Sequence, residues 1–282
     1  MPMKGINYID IGPYKVAFEV KETANAKACI LMVHGMGEHC WRYNHVVDYF
    51  VEQDLNVIRF DLPGHGLSSG KRGHIKSYDE VLDCVDYFLG LLNDYNVPSF
   101  LFGHSMGGNI VLGELMYRKP KLVGAIVASP WVALTFKMGF FKSLMATIAS
   151  KLIPAATKKN ALAPEILSKD IEVVNQYQSD SLVHDAVSPR LFVEMSRVAT
   201  MVQLRASRIR THTLLYHGSG DQLTAPWATK AVADAMPNSK FILYDSGYHE
   251  MHNEPNKKEV LENIGQFINE RLATLVPQFQ TS

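Results

Sequence analysis

The stretch Gly103-His-Ser105-Met-Gly107-Gly108 constrains this chain more than any other. An apolar run over 99–102 precedes it, and residues over 106–116 follow with helical spacing, so it reads as a sharp turn from a buried strand into a helix. Neighbouring side chains in so tight a turn would collide with strand and helix, which is why glycines flank the serine. The turn lifts Ser105 Oγ clear of the sheet, at the positive end of the following helix dipole.

Strand and helix patterns alternate around this unit. Strands are expected over 14–20, 28–33, 56–60 and 122–128, and again over 211–217 and 240–244. Ser77 with Glu80 three residues on is a capping box for a helix whose apolar face carries Val81, Leu82, Val85, Phe88, Leu89 and Leu92. Later helices are expected over 225–235, with Pro226 in the first turn, and over 257–275. Such alternation implies a parallel sheet covered on both faces. Between 131 and 199 the pattern is helical with no convincing buried strand. The expected organisation is therefore an α/β core over 1–130 and 200–282, with a helical cap inserted over 131–199.

Composition narrows the class further. At 282 residues, 47% of them hydrophobic, the chain can bury a large core without disulfides or metal. With 28 basic and 28 acidic residues it lacks the charge excess of a nucleic-acid binder. Cys29, Cys40 and Cys84 are odd in number and have no metal-ligand spacing, which suits reduced thiols in the cytoplasm. No charged stretch leads into an apolar run over 1–10, and no run is long enough to span a membrane, so neither leader nor span is expected. Dinucleotide, P-loop and zincin motifs are missing too, so no cofactor or metal is expected.

A serine hydroxyl needs a base to become a nucleophile, and the base needs an acid to orient it. After a G-x-S-x-G turn the chain order is serine, acid, histidine. Asp221 follows the strand over 211–217, and His249 follows the strand over 240–244, so both arise at carboxyl ends of strands, where ligands collect. Asp245 is the rival acid, but it shares a strand end with His249. His34, His65, His104 and His217 are rival bases, each read as a loop or hydrogen-bonding residue. His34-Gly-Met36-Gly supplies the other half of an oxyanion site, with the backbone N–H groups of Met36 and Met106 as donors. The expected fold is an α/β-hydrolase: a mostly parallel central sheet, helices on both faces and an inserted helical cap. The expected chemistry is serine ester hydrolysis through Ser105, Asp221 and His249.

The chain resembles the monoglyceride lipase and lysophospholipase branch of the α/β-hydrolases over nearly its whole length. The resemblance rests on His34-Gly-Met-Gly-Glu-His-Cys-Trp-Arg-Tyr43, Asp61-Leu-Pro-Gly-His-Gly66, the serine turn, Tyr248-His-Glu-Met-His252, and in the cap Leu167-Ser-Lys-Asp and Tyr177-Gln-Ser-Asp-Ser-Leu-Val-His184. It implies that Glu38, Arg42, His104, Tyr177 and His252 hold the glycerol end of a monoacylglycerol. Plainer readings stand beside it: Arg42 and Glu38 as an ion pair stiffening their loop, His252 as a structural neighbour of His249, Asp61 and His65 as order within their own loop. The chain departs from the branch at Met36, where a smaller residue is usual, and at Asp180-Ser181, where Asp-Pro is usual. Met36 is thereby expected to narrow the acyl entrance.

In the cap, Met138, Phe140, Phe141, Leu144, Met145, Ile148 and Leu152 form a broad apolar surface broken by Lys137, Lys142 and Lys151. It suits an acyl chain, or the packing of cap on core. Interleaved lysines also suit transient contact with an anionic lipid surface. Three functions thus remain open: monoacylglycerol hydrolysis to fatty acid and glycerol, lysophospholipase or small aryl and alkyl esterase activity, and ligand binding on a hydrolase fold that has lost its chemistry. The intact serine–acid–histidine order speaks against the last.

Overall fold

The computed structural model describes residues 5–136, 139–159 and 163–275. Its centre is an eight-stranded sheet in the order β1-β2-β4-β3-β5-β6-β9-β10. The strands are β1 (Asn7–Ile11), β2 (Tyr14–Lys21), β3 (Ala28–Val33), β4 (Leu55–Phe60), β5 (Ser99–His104), β6 (Gly124–Ala128), β9 (Thr213–Gly218) and β10 (Ser239–Tyr244). β1 and β2 pair antiparallel, as do β2 and β4, and every pairing from β4 to β10 is parallel. All residues of β3, β4, β6 and β9 are buried, as strands covered on both faces must be.

Helices supply that cover. α2 (Tyr78–Asn93), α3 (Met106–Tyr117) and α7 (Pro226–Ala235) pack one face through Val81, Val85, Ile110 and Val232. α1 (Asn44–Glu52) and α8 (Lys257–Ala273) pack the other through Val46, Phe50, Val260 and Ile264. Ser77 caps α2 by accepting from the Glu80 amide, but Glu80 completes only half of the expected box: its carboxylate accepts from Tyr14 OH instead. β1 and α1 add to the elements expected from sequence. β1 is a mostly exposed edge strand, and the buried Val46, Val47 and Phe50 of α1 are too few to show a period.

Between β6 and β9 the chain forms α4 (Phe140–Leu152), the two-residue strands β7 (Lys158–Lys159) and β8 (Ala186–Val187), α5 (Ile171–Ser179) and α6 (Pro189–Arg205). α6 packs against α3 and α4, and its Leu191, Met195, Val198 and Val202 belong to the same core cluster as the sheet. α4 packs on α6 by one side and leaves Leu144, Met145, Ile148 and Leu152 exposed. Lys137 and Met138 of the expected apolar surface lie outside the described residues, as does the side chain of Phe140. Among the described residues no helix is long and apolar enough to cross a membrane.

Candidate active site

Parallel strands of one sheet end on the same side, so residues far apart in sequence meet at its carboxyl edge. β5 delivers Ser105 there. Its backbone, at φ 54° and ψ −114°, is in a region that L-residues avoid, and neighbours on both sides hold it. The Ser105 amide donates to Ala128 O at 2.9 Å, and its carbonyl accepts from the Trp131 amide at 2.9 Å. A Cβ on Gly107 would collide with the carbonyl oxygens of Val33 and His34, and one on Gly103 with the carbonyl of Gly107. The glycines of the motif are therefore where the helix crosses the neighbouring strand end.

β9 delivers Asp221, and the loop after β10 delivers His249. His249 Nε2 lies 2.9 Å from Ser105 Oγ, and His249 Nδ1 lies 2.6 Å from Asp221 Oδ2. Asp221 Oδ1 accepts from the amides of Leu223 and Thr224, and Oδ2 accepts from Thr224 Oγ1 at 2.9 Å. Burial alone would raise the Asp221 carboxyl, but His249 and the hydrogen bonds from His217 and His249 outweigh it and hold the group well below the usual carboxylate range. Burial likewise works against charge on His249, yet the Asp221 carboxylate prevails and raises the imidazole above its ordinary value. Asp245, the rival acid, is exposed and within bonding distance of Ser219 Oγ.

The loop after β3 approaches from the other side. Gly35 sits so close that an added Cβ would stand 3.3 Å from Ser105 Cβ. Met36 follows it, and neither the Met36 nor the Met106 amide has a protein acceptor among the described residues. His34 braces the loop by donating from Nδ1 to Gly35 O at 2.7 Å and accepting from the Leu62 amide at 2.9 Å. Asp61 ties the next loop by accepting from the amides of Cys40 and Leu67.

Ser105, His249 and Met36 face one cavity of about 640 Å³. Trp131, Leu134, Phe136, Val187, Phe192 and Leu223 give it apolar walls. Glu38, Arg42, His104, Tyr177 and Glu250 also line it, and four of these form a connected corner. Arg42 Nη1 donates to Glu38 Oε2 at 2.6 Å, and both its terminal nitrogens reach the Glu250 carboxylate at 2.7 Å. The Arg42 guanidinium covers the Tyr177 ring at 4.7 Å. Glu38 Oε1 also accepts from the Gly35 amide and from Tyr43 OH. Glu38 and Arg42 thus form an ion pair that stiffens the loop while lining the cavity. Sequence reasoning did not single out Glu250; its signal was its place directly after His249 in Tyr248-His-Glu-Met-His252.

His252 does not line the cavity. It is fully buried, stacked on Tyr43 at 4.7 Å and edge-on to His104 at 4.8 Å. Burial, opposed by Glu250, brings its imidazole down to about 3, so it is a neutral packing surface behind His104. His104 lies 4.7 Å from the His249 ring, and burial together with His249 holds it well below its ordinary value.

A sequence profile of the serine aminopeptidase S33 family of hydrolases (Hydrolase_4) matches residues 24–256. The chain is 35% identical over 249 residues to an uncharacterized abhydrolase domain-containing protein of Dictyostelium discoideum, covering 87% of this chain but spanning only 26% of that relative's length. It is 26% identical over 250 residues to phospholipase YtpA of Bacillus subtilis, covering 86% of this chain and 95% of that protein. Among solved structures, the Paleococcus ferrophilus monoacylglycerol lipase superposes with a TM-score of 0.84 at 28% identity, covering 91% of this chain and 99% of that one.

Proposed function

We propose, from the premise that this chain belongs to the serine aminopeptidase S33 family of α/β-hydrolases, that it hydrolyses monoacylglycerols to fatty acid and glycerol through an acyl-enzyme on Ser105. The observation that carries the reading is the unbroken line from Ser105 Oγ through His249 to Asp221, with contacts of 2.9 and 2.6 Å. His249 takes the hydroxyl proton as Ser105 attacks the ester carbonyl, and the amides of Met36 and Met106 receive the developing oxyanion. The proton then passes from His249 to the departing glycerol oxygen. Water repeats the sequence on the acyl-serine, giving up a proton to His249 and releasing the acid. Because His249 is raised, turnover falls toward acid with a midpoint above the ordinary imidazole value of 6.5.

The apolar walls suit an acyl chain, and the similarity to a monoacylglycerol lipase structure agrees with that. The polar corner bears on the head group. Glu38 and Glu250 set two carboxylates against the single guanidinium of Arg42, which favours a neutral diol over an anionic phosphate. In this reading Glu38, Arg42, His104 and Tyr177 bound the glycerol end, and His252 acts only through His104. The lysophospholipase alternative draws on the similarity to phospholipase YtpA. Comparing kcat/KM for a monoacylglycerol, a lysophospholipid and an aryl ester decides between them, with the monoacylglycerol expected to lead. Ser105→Ala is expected to abolish turnover of all three, and undiminished activity in that variant contradicts the whole proposal.

The segment over 131–199 is read as a cap, with α4 as its contact with lipid. Phe141 is 80% exposed and Leu152 76%, beside the exposed Lys142 and Lys151. Cosedimentation with anionic vesicles at low salt is expected and is expected to weaken with salt; no binding to either anionic or neutral vesicles removes this role. Three free, buried cysteines suit a reducing compartment such as the cytoplasm.

A further inference from the structure

Two imidazoles, not one, reach the same oxygen of Asp221. His249 Nδ1 stands 2.6 Å from Oδ2, and His217 Nε2 stands 2.8 Å from it. His217 is the fully buried next-to-last residue of strand β9, four residues before Asp221, and touches neither Ser105 nor the cavity. Its other nitrogen, Nδ1, lies 2.9 Å from Thr229 Oγ1 in the first turn of α7, also fully buried.

Hydrogen-bond chemistry assigns the protons. An ionised carboxylate only accepts, so His217 must carry hydrogen on Nε2 and donate it to Asp221. Burial keeps this imidazole neutral, although Asp221 opposes the effect. Nδ1 is then a lone pair, and only the Thr229 hydroxyl can satisfy it. The run of donors is therefore directional: Thr229 to His217, His217 to Asp221, and on the far side His249 to the same Asp221 oxygen.

We infer that His217 is a positioning residue for the Ser105–His249 pair: its Nε2–H fixes where the Asp221 carboxylate stands and shares the charge that His249 meets. The inference rests on the reading that Ser105, His249 and Asp221 carry out the hydrolysis. A carboxylate that shares its charge with a second imidazole stabilises the imidazolium less, so His217 lowers the basicity of His249 while holding its partner still. The other titratable groups facing His249 are His104 and His252 behind it and Glu250 and Glu38 on the Arg42 side. None of them touches His217; Thr224 Oγ1 lies 3.2 Å from His217 Nε2, 3.3 Å from His249 Nδ1 and 2.9 Å from Asp221 Oδ2, so a change at residue 217 reaches His249 through Asp221 and the Thr224 hydroxyl bound to it.

The test is a pH profile of kcat/KM for the full chain with His217→Met and His217→Gln. Methionine fills the space without a strong donor, and glutamine returns an N–H near the position of Nε2. His217→Met is expected to lower kcat about tenfold with KM little changed, and to move the acid limb upward by about half a pH unit. His217→Gln should restore the limb. A packing role alone would lower thermal stability in both variants and leave the limb where it is, which overturns the inference. If His217→Met does not fold, ¹⁵N-histidine NMR of the wild type decides: a neutral Nε2–H tautomer for His217 across about pH 6–9 supports the inference, and an Nδ1–H tautomer overturns it. Ser105→Ala in the same assay separates the two levels. Lost turnover there with an unmoved limb in His217→Met sinks the role of His217 alone, and retained turnover sinks the reading beneath it.

Discussion

α3 and α4 are helices of similar length and similarly apolar composition, yet they live in opposite surroundings. Every residue of α3 from Met106 to Met116 is buried, wedged between the sheet, α2 and α6. α4 instead turns Phe141, Leu144, Met145, Ile148 and Leu152 outward. A helix apolar all round that is enclosed on all sides is structural: it holds the strained turn at Ser105 against the sheet. A helix that packs on α6 by one side and exposes Leu144, Met145, Ile148 and Leu152 on another carries apolar surface beyond that packing. The contrast separates where the chain is committed to geometry from where it exposes the apolar surface on which the proposed lipid contact rests.

α3 is held most tightly at Gly107. Gly107→Ala drives a Cβ into the carbonyl oxygens of Val33 and His34, and no flexible side chain is there to yield. A loss above about 3 kcal/mol is expected, read by urea unfolding; near-normal stability would mean that α3 is not wedged as described.

Arg42→Met comes next. It leaves the Glu38 and Glu250 carboxylates, both almost wholly buried, without their shared cation. Removing one partner of a buried charge cluster costs about 3–5 kcal/mol, and turnover should fall too because Glu38 holds the Gly35 amide beside Ser105. Full activity in a stable Arg42→Met variant would detach this cluster from the site.

Glu114 sharpens the account of α3, since it is a fully buried carboxyl on that helix. Burial, helped by Asp86, pushes it up to about 9 from the ordinary value of 4.5. The folded chain therefore holds the proton to a higher pH than the unfolded chain does. The stability this contributes is complete below 4.5 and is lost as pH rises through about 9. Glu114→Gln should flatten that decline, by on the order of 1 kcal/mol per pH unit at most, as measured by denaturation at pH values across the window. An unchanged slope would mean the carboxyl is hydrated.

α4 should show the smallest effect on stability. Met145→Glu and Leu152→Glu are expected to shift unfolding by less than about 0.5 kcal/mol, while weakening cosedimentation with anionic vesicles. A loss of several kcal/mol would show that Met145 and Leu152 are packed in the folded chain, beyond the face that α4 lays on α6.

Much of this was legible in sequence because it depends on local pattern. The fully buried strands appear as short apolar runs, and the serine turn carries its glycines in order. Asp221 and His249 could be placed at strand ends because parallel strands share a direction. The Arg42 clamp was not legible in the same way: Arg42 and Glu250 lie 208 positions apart, and nothing local pairs them. The second imidazole on Asp221 was hidden for a different reason. His217 sits in a buried strand, where a histidine reads as ordinary hydrogen-bonding, and only the fold shows that both imidazoles aim at one oxygen. α4 was ambiguous because apolar residues at helical spacing look alike whether they pack a core or face outward.

Hydrolysis as proposed requires Ser105 to be the nucleophile. Intact-mass and peptide mass spectrometry after a fluorophosphonate probe tests it most directly. A single covalent adduct is expected on the peptide bearing Ser105, absent in Ser105→Ala and strongly slowed in His249→Ala. No adduct on the folded protein, or an adduct on another residue, would contradict it.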